Sequence, residues 1–317
     1  MSSAIATHGL TKIYGEIRAV DGVDLDVRTG EIFGFLGPNG AGKSTTIRCL
    51  VDLARPTKGS AEVLGLDSRR DTIEISRRIG YLPSDIALYG DLTGREFVEY
   101  FANLRGGVDR RVIDALAERF SADLDRRCSE YSSGNRQKVG LIQAFMHEPE
   151  LLILDEPTSG LDPLVQTEMH ALMDETRDAG RTVFLSSHTL SEVDRVADRV
   201  GIIREGKLIE VAAIDDLKAR AIRRLELEFE TAPEPAPLQA VAGVRDVSVD
   251  GLVATVSFDG PIDEILRAAT ALGVVNLHSH DADLEDIFLT YYRDDRPQRV
   301  DTNSAGTPDT ESADVAG

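Results

Sequence analysis

The sequence lacks a membrane-spanning segment, a recognisable secretory signal and a cysteine framework. No run approaches the roughly 18 to 20 consecutive apolar residues that a transmembrane helix needs, and no basic region followed by an apolar core stands at the N-terminus. Only two cysteines, Cys49 and Cys128, occur in 317 residues, which disfavours both a disulfide framework and a zinc site. We therefore expect a cytosolic chain in which both cysteines are packing residues.

Basic residues are too few to balance the acidic ones. The chain has 35 Lys and Arg against 55 Asp and Glu, which gives a formal net charge of −20. Such a surface repels a phosphate backbone, whereas nucleic-acid binders usually carry a basic stripe. We expect no nucleic-acid partner.

The length favours one large domain and one smaller domain. Up to about residue 220, short apolar runs alternate with helical patterns, which predicts an α/β domain with a largely parallel sheet. The clearest strand candidates are residues 31–36, 151–154 and 182–186. Each is apolar throughout and leads into polar residues, as expected for strands covered on both faces with a ligand site at their carboxyl edge.

A helical subdomain is predicted within this domain, at about residues 85–135. Thr93 and Glu96 there have the spacing of a capping box, and the residues that follow form one apolar helix face.

A second unit is predicted over residues 221–293. After a strand at 225–230 and a proline-rich break at 232–237, the pattern indicates a helix at 238–242, a strand, a turn at 250–251, a strand at 252–258, a helix at 262–272, a strand at 274–280 and a helix at 284–292. The βαββαβ order predicts a small α+β domain of the ferredoxin-like type. Residues 294–317 are polar and are predicted to be disordered.

A phosphate-binding loop follows the first of the strand candidates and precedes a helix predicted at residues 44–53. It contains the motif G-x-x-x-x-G-K-[ST], formed by Gly37, Pro38, Asn39, Gly40, Ala41, Gly42, Lys43 and Ser44, followed by Thr45. Glycines let backbone N–H groups surround phosphate oxygens, and the helix N-terminus adds positive potential. We expect Lys43 to reach the β and γ phosphates of ATP and Ser44 to bind Mg²⁺. The alternative, a glycine-rich turn without function, is disfavoured by the strand–loop–helix context.

Two carboxylates, Asp155 and Glu156, directly follow the strand candidate 151–154. Asp155 is suited to hold Mg²⁺, and Glu156 is suited to orient or deprotonate the attacking water. Alternatively, the pair only caps the next helix, but its occurrence together with the phosphate-binding loop favours an ATPase.

Residues 131–137, Tyr-Ser-Ser-Gly-Asn-Arg-Gln, lie just before a predicted helix and ahead of Asp155. With this segment the chain resembles the ABC ATPase family, a group of P-loop NTPases whose signature has the form LSGGQ. Ser132 and Gly134 match the signature serine and second glycine, whereas Ser133 and Asn135 replace its first glycine and its glutamine. The resemblance implies that the signature completes the ATP site of a second copy in a head-to-tail dimer. A helix beginning near Gly134 fits this role because its first N–H groups are unpaired, although a plain capped helix is the alternative.

Three further residues take their roles from the resemblance. Asp162, in residues 159–162, resembles the D-loop that crosses the dimer interface. His188 resembles the switch histidine that contacts the γ-phosphate, and Tyr14 resembles the aromatic residue that stacks on adenine. The alternatives are a structural histidine and a surface hairpin tyrosine.

One segment departs from the family pattern. Ser84 follows Leu-Pro where the family usually has the glutamine of the Q-loop. Its side chain is too short to span the same distance, so either Asp85 substitutes or a water fills the gap.

The resemblance extends loosely to residue 292, because a C-terminal domain with a motif like residues 284–289 recurs in ABC-2 exporter ATPases, including drug and antibiotic efflux systems. It implies an ATPase at the cytoplasmic face of the membrane that drives a separate transmembrane subunit. The alternatives are a non-transport ABC ATPase of translation or DNA repair and an inactive regulatory subunit. The first is disfavoured by the single phosphate-binding loop and the lack of sustained heptads, the second by Lys43, Asp155, Glu156 and His188 all being present.

Overall fold

The computed structural model describes residues 2–220, 223–259 and 261–280. The strands are β1 (Ser3–Tyr14), β2 (Ile17–Arg28), β3 (Ile32–Leu36), β4 (Lys58–Val63), β5 (Leu66–Asp67), β6 (Ile79–Leu82), β7 (Leu151–Asp155), β8 (Thr182–Ser187), β9 (Arg199–Arg204), β10 (Lys207–Ala213), β11 (Arg223–Phe229), β12 (Val244–Asp250), β13 (Val253–Phe258) and β14 (Val274–His280). The helices are α1 (Lys43–Leu50), α2 (Thr72–Arg78), α3 (Gly94–Leu104), α4 (Arg110–Arg119), α5 (Ser133–Phe145), α6 (Pro163–Asp178), α7 (Leu190–Val196), α8 (Ile214–Arg220), α9 (Ala236–Gln239) and α10 (Ile262–Ala271).

A six-stranded, mostly parallel sheet forms the centre of the first 220 residues, in the order β10-β9-β3-β8-β7-β6. Its strands β3, β7 and β8 are buried along their whole length, which confirms the three strand candidates to within one residue at each end. Successive residues of β7 contribute to two separate hydrophobic clusters, one on each face of the sheet. The carboxyl ends of β3, β7 and β8 therefore meet at one edge, as the sequence predicts.

A second, antiparallel sheet of order β2-β1-β4-β5 covers one face of the central sheet and was not predicted. Strands β1 and β2 form a long hairpin interrupted by several register shifts. In β2, the buried residues Val23, Leu25 and Val27 alternate with exposed aspartates, which is the period of a strand with one face in the core.

Helices α3, α4 and α5 pack together over the other face. The capping box at the start of α3 is confirmed, because Thr93 Oγ1 accepts the Glu96 N–H at 3.2 Å and Glu96 Oε2 accepts the Thr93 N–H at 2.8 Å. Cys128 is buried in the same cluster, and Cys49 is buried under the antiparallel sheet, so both cysteines are packing residues as predicted.

The strands and helices predicted between residues 225 and 280 are present as β11–β14, α9 and α10, but α9 covers 236–239 and so begins within the proline-rich break, two residues before the predicted helix at 238–242. The four strands form an antiparallel sheet of order β12-β13-β11-β14 around its own hydrophobic cluster. The assignment to the ferredoxin-like type and the domain boundary at residue 220 stay predictions. The helix predicted at 284–292 and the disordered segment 294–317 lie outside the described residues. None of the described helices has the length and apolar composition that crossing a bilayer requires.

Candidate functional site

A cleft of about 390 Å³ opens at the carboxyl edge of the central sheet, above the loop between β3 and α1. It is lined by Ala19, Pro38, Asn39, Gly40, Gly42, Lys43, Ser44, Thr45, Ser84 and Glu156. Most of the predicted phosphate-binding loop therefore faces one cavity. The other two loop residues use their backbones for packing, since Gly37 N–H donates to Ser187 O and Ala41 O accepts from Gly206 N–H.

The loop keeps its shape through glycines at crowded positions. Gly42 is the N-cap of α1 and has φ of +113°, a backbone conformation that L side chains rarely adopt. A Cβ at Gly42 would lie 2.5 Å from the carbonyl oxygen of Ala19, and one at Gly37 would lie 2.4 Å from that of Ile203. The loop is held against its neighbours by backbone, with the first N–H groups of α1 at the cleft.

Lys43 is the cation of the cleft, and its side chain is only 5% exposed. Its ammonium lies 3.2 Å from Glu156 Oε1 and donates to the carbonyl oxygens of Gly37 and Pro38. Burial makes these partners necessary, because an unpaired buried ammonium is very costly. The structure thus brings together two residues that the sequence separates by more than a hundred positions.

Glu156 is held between Lys43 and the predicted switch histidine. Its Oε2 lies 2.7 Å from His188 Nδ1. Its backbone has φ of +51°, and its N–H donates to Ser186 Oγ at 3.1 Å. A left-handed glutamate is uncommon and costs free energy, so the surrounding contacts fix the orientation of this carboxylate.

Asp155 lies just behind Glu156 at the end of β7 and is buried. Its Oδ1 accepts a 2.6 Å hydrogen bond from Ser186 Oγ. Within the described residues there is no group of three or more His, Cys, Asp or Glu that could hold a metal by itself. A set of Asp155, the Ser44 hydroxyl and phosphate oxygens fits Mg²⁺, which binds through one or two carboxylates and substrate phosphates.

Ser84 lines the cleft together with Glu156, whereas Asp85 is exposed and is not among the lining residues. Ser84 therefore faces the site, and the Asp85 carboxylate, which is the alternative to it at the Q-loop position, faces solvent.

The predicted signature and D-loop lie together, away from the lining of this cleft. Ser132 is the N-cap of α5, where its Oγ accepts the Asn135 N–H at 3.3 Å. Gly134 packs so closely on the loop before α6 that a Cβ would lie 2.8 Å from Gly160 O. Asp162 is the exposed N-cap of α6, and its pKa is lowered by the hydrogen bond from Val165 N–H and by nearby Lys138.

The substitution of asparagine in the signature has a structural reason. The side chain of Asn135 accepts from Asp123 N–H and donates to Asp123 O, both at 2.9 Å. This pair of bonds ties the start of α5 to the loop after α4.

Tyr14 ends β1 at the tip of the hairpin and is 45% exposed. Lys12 Nζ lies 4.6 Å above the centre of its ring. Tyr14 does not line the cleft, although Ala19 of the same hairpin does.

Sequence reasoning missed several residues of the site. Ser186 binds both Asp155 and the Glu156 backbone, Gln137 donates to Pro157 O at 2.8 Å, and Ala19 forms one wall of the cleft. The polar end of strand candidate 182–186 signals Ser186. No local signal marks Ala19, because its place depends on the unpredicted antiparallel sheet.

The sequence is similar to those of known proteins. The model of the ABC transporter family matches residues 20–159. The chain is 37% identical over 297 residues to the bacitracin transport ATP-binding protein BcrA of Bacillus licheniformis, covering 91% of this chain and 97% of that protein. It is 35% identical over 309 residues to the daunorubicin resistance ATP-binding protein DrrA3 of Streptomyces coeruleorubidus, covering 93% of this chain and 97% of that protein.

Solved structures agree on the fold. An ATP-binding subunit of an ABC transporter superposes with a TM-score of 0.64 at 30% identity, over 68% of this chain and 92% of that one. A dimeric ATP-binding cassette bound to ADP and Pi superposes with a TM-score of 0.60 at 22% identity, over 66% of this chain and 98% of that one. The latter shows a likeness of fold alone.

Proposed function

Because the chain belongs to the ABC transporter family of ATP-binding subunits, we propose that it hydrolyses ATP to ADP and phosphate and so drives export through a separate membrane subunit. The convergence of Lys43, Glu156 and His188 at the phosphate-binding loop is the observation that supports catalysis. Phosphate release by the purified chain, alone and with its membrane partner, tests the proposal. No ATP-dependent release in either form would overturn it.

ATP is proposed to bind with its phosphates against the loop from Gly37 to Thr45. Lys43 and the N–H groups at the start of α1 supply positive potential for the β and γ phosphates. Mg²⁺, held by Ser44 and Asp155, would neutralise phosphate charge when bound. Tyr14 is proposed to stack on adenine. Because it lies at the tip of the β1–β2 hairpin and outside the cleft lining, the adenine would extend from the cleft towards that tip.

Glu156 is proposed as the group that orients or deprotonates the attacking water. Its carboxylate lies at the cleft, and His188 contacts one of its oxygens at 2.7 Å. A carboxylate in this position can accept a proton from a water that lies between Glu156 and the γ-phosphate.

A second copy of the chain is proposed to complete each site, in a head-to-tail arrangement. Ser132, Gly134 and Asp162 are exposed or half-buried and lie outside the cleft that the phosphate-binding loop forms. The Ser132 hydroxyl and the N-terminus of α5 suit contact with a γ-phosphate bound by the other copy.

Substitutions at the Q-loop position test which of Ser84 and Asp85 takes part in hydrolysis. Because Asp85 faces solvent, Asp85→Ala is expected to keep partner-stimulated ATP turnover within about twofold. Ser84→Gln is expected to raise turnover by about 2- to 10-fold, since one added hydrogen bond to water or metal contributes about 0.5 to 1.5 kcal/mol. Steady-state ATPase assays measure both. A loss of more than tenfold in Asp85→Ala would assign the Q-loop role to Asp85.

The membrane partner is proposed to dock beside Ser84. There, a groove of about 340 Å³ lies between the central sheet and α3, and its lining includes Ile86, Ala87, Phe97, Phe101 and Arg105. Three apolar residues follow Ser84 in sequence: Ile86 lines the groove, Leu88 is half-buried against the core, and Tyr89 is 55% exposed. Exposed aromatic side chains beside an apolar groove suit an amphipathic helix.

Site-directed crosslinking tests this docking. Both native cysteines are buried, so a cysteine introduced at Tyr89 is the reactive one. Tyr89→Cys in native membranes is expected to crosslink to a membrane polypeptide, whereas Val275→Cys, equally exposed on β14, is expected not to. Crosslinks from Tyr89→Cys only within its own subunit would contradict the docking.

Export is preferred over a role in translation or repair because relatives that align along nearly the whole chain are named for bacitracin transport and daunorubicin resistance. We propose the cytoplasmic face of the membrane as the place of action. An antibiotic or drug is the class of cargo that these names favour.

A further inference from the structure

A carboxylate outside the predicted site connects the two segments that carry Glu156 and His188. This carboxylate belongs to Glu192 in α7. Its Oε1 accepts a hydrogen bond from Thr158 Oγ1 at 2.6 Å, and its Oε2 accepts one from Ser187 Oγ at 2.7 Å. Thr158 lies two residues after Glu156, and Ser187 directly precedes His188.

The connection lies where the backbone ladder of the sheet ends. The last registered pair between β7 and β8 is Asp155 with Ser186. Beyond this pair, the Glu156 N–H still donates to Ser186 O at 3.2 Å. The segment after β7 then turns towards α6 and the segment after β8 turns towards α7, and side chains connect the two. The two oxygens of Glu192 supply such contacts, one to each segment.

The chemistry of Glu192 suits alignment. Thr158 is 5% exposed and Ser187 is fully buried, so both hydroxyls are shielded from competing water. Hydrogen bonds from hydroxyl groups to an ionised carboxylate are short and about twice as strong as neutral ones. The two hydroxyls are side-chain hydrogen-bond partners of this carboxylate.

We propose that Glu192 is a positioning residue for hydrolysis, which fixes the distance between the segment after Glu156 and the segment before His188. The 2.7 Å contact of Glu156 with His188 then depends on this bridge. The inference rests on the proposed ATP hydrolysis at the same site. Glu192 itself is not among the residues that line the cleft.

Removing one hydroxyl tests the bridge with little change of volume. Thr158→Val is expected to lower kcat at least tenfold while the affinity for a fluorescent ATP analogue stays within about twofold, because misplacing the reacting groups affects the chemical step more than binding. Thr158→Ser restores the hydroxyl and is expected to recover kcat to within about threefold of wild type. Glu192→Gln should lower kcat as well, and the double variant with Thr158→Val should be no slower than the slower single variant.

A matched control separates alignment from general stability. Thr176 is also buried, and its hydroxyl bonds within α6 to Leu172 O. Thr176→Val should therefore lower Tm without changing kcat. If Thr158→Val keeps kcat within twofold, or if Thr176→Val lowers it equally, the positioning role is wrong. Even if the positioning role is wrong, the proposed function stands when the wild-type chain hydrolyses ATP and the Glu156→Gln variant does not. A wild-type chain without turnover would overturn both.

Discussion

Replacing Glu156 with Gln is expected to slow ATP hydrolysis by about 10²-fold or more while ATP still binds. Glutamine keeps the size of the side chain but cannot accept a proton from water at neutral pH, and loss of a general base commonly has this effect. The substitution also removes the negative charge 3.2 Å from the Lys43 ammonium. The side chain at position 156 then no longer competes with the phosphates for Lys43, so ATP binding should not weaken. Single-turnover release of phosphate measures the chemical step directly.

The control for this variant is Glu148→Gln. Glu148 is exposed, lies after the turn that follows α5, and is not among the residues that line the cleft. The Glu148→Gln variant should hydrolyse ATP at the wild-type rate. If Glu156→Gln also retained near-normal turnover, Glu156 would not be the base.

Replacing Lys43 with Met is expected to reduce both ATP affinity and turnover. Charge-assisted hydrogen bonds contribute about 1.5 to 3 kcal/mol, so affinity should fall roughly 10- to 150-fold. Turnover should fall further, because Glu156 would lose the cation beside its Oε1 and the γ-phosphate would lose its positive partner. Nucleotide titration and ATPase assays measure the two effects separately.

Lys58→Met is the matched control, since Lys58 is exposed on β4. It should bind ATP as wild type does. Wild-type affinity and turnover in Lys43→Met would place the phosphates elsewhere and contradict the proposed site.

The central sheet and its ligand edge were predictable because their signal is local. Strands buried on both faces are apolar throughout, and Asp155 and Glu156 follow such a strand directly. The phosphate-binding loop was predictable for the same reason, since its glycines and Lys43 are consecutive in sequence. The family resemblance is confirmed by relatives that align along more than nine-tenths of the chain.

The antiparallel sheet was missed because register shifts of the β1–β2 hairpin break the alternating pattern along β1 and before Val23, so that only residues 23–28 of β2 show it. Ala19, which lines the cleft from β2, was missed with it. Side-chain contacts across the site, such as the two hydroxyls bound by Glu192, depend on distant segments meeting at the sheet edge. Spacing in sequence carries no information about such contacts.

The replacement of the signature glutamine shows a different limit. In sequence, Asn135 is only a departure from the family pattern. In the structure its side chain makes two hydrogen bonds to the backbone of Asp123. A residue that departs from the family pattern thus has a structural role, while Ser132 and Gly134 lie at the start of α5, where the proposed dimer needs them.

Two copies of the chain are proposed to close on ATP between the phosphate-binding loop of one and the signature of the other. Light scattering of Glu156→Gln during size-exclusion chromatography, with nucleotide content measured across the peak, tests it most directly. We predict a dimer carrying two ATP molecules in the presence of ATP, and a monomer without ATP or when Ser132 is also replaced by Arg. A variant that binds ATP at full occupancy and remains a monomer, both alone and with its membrane partner, would contradict the claim.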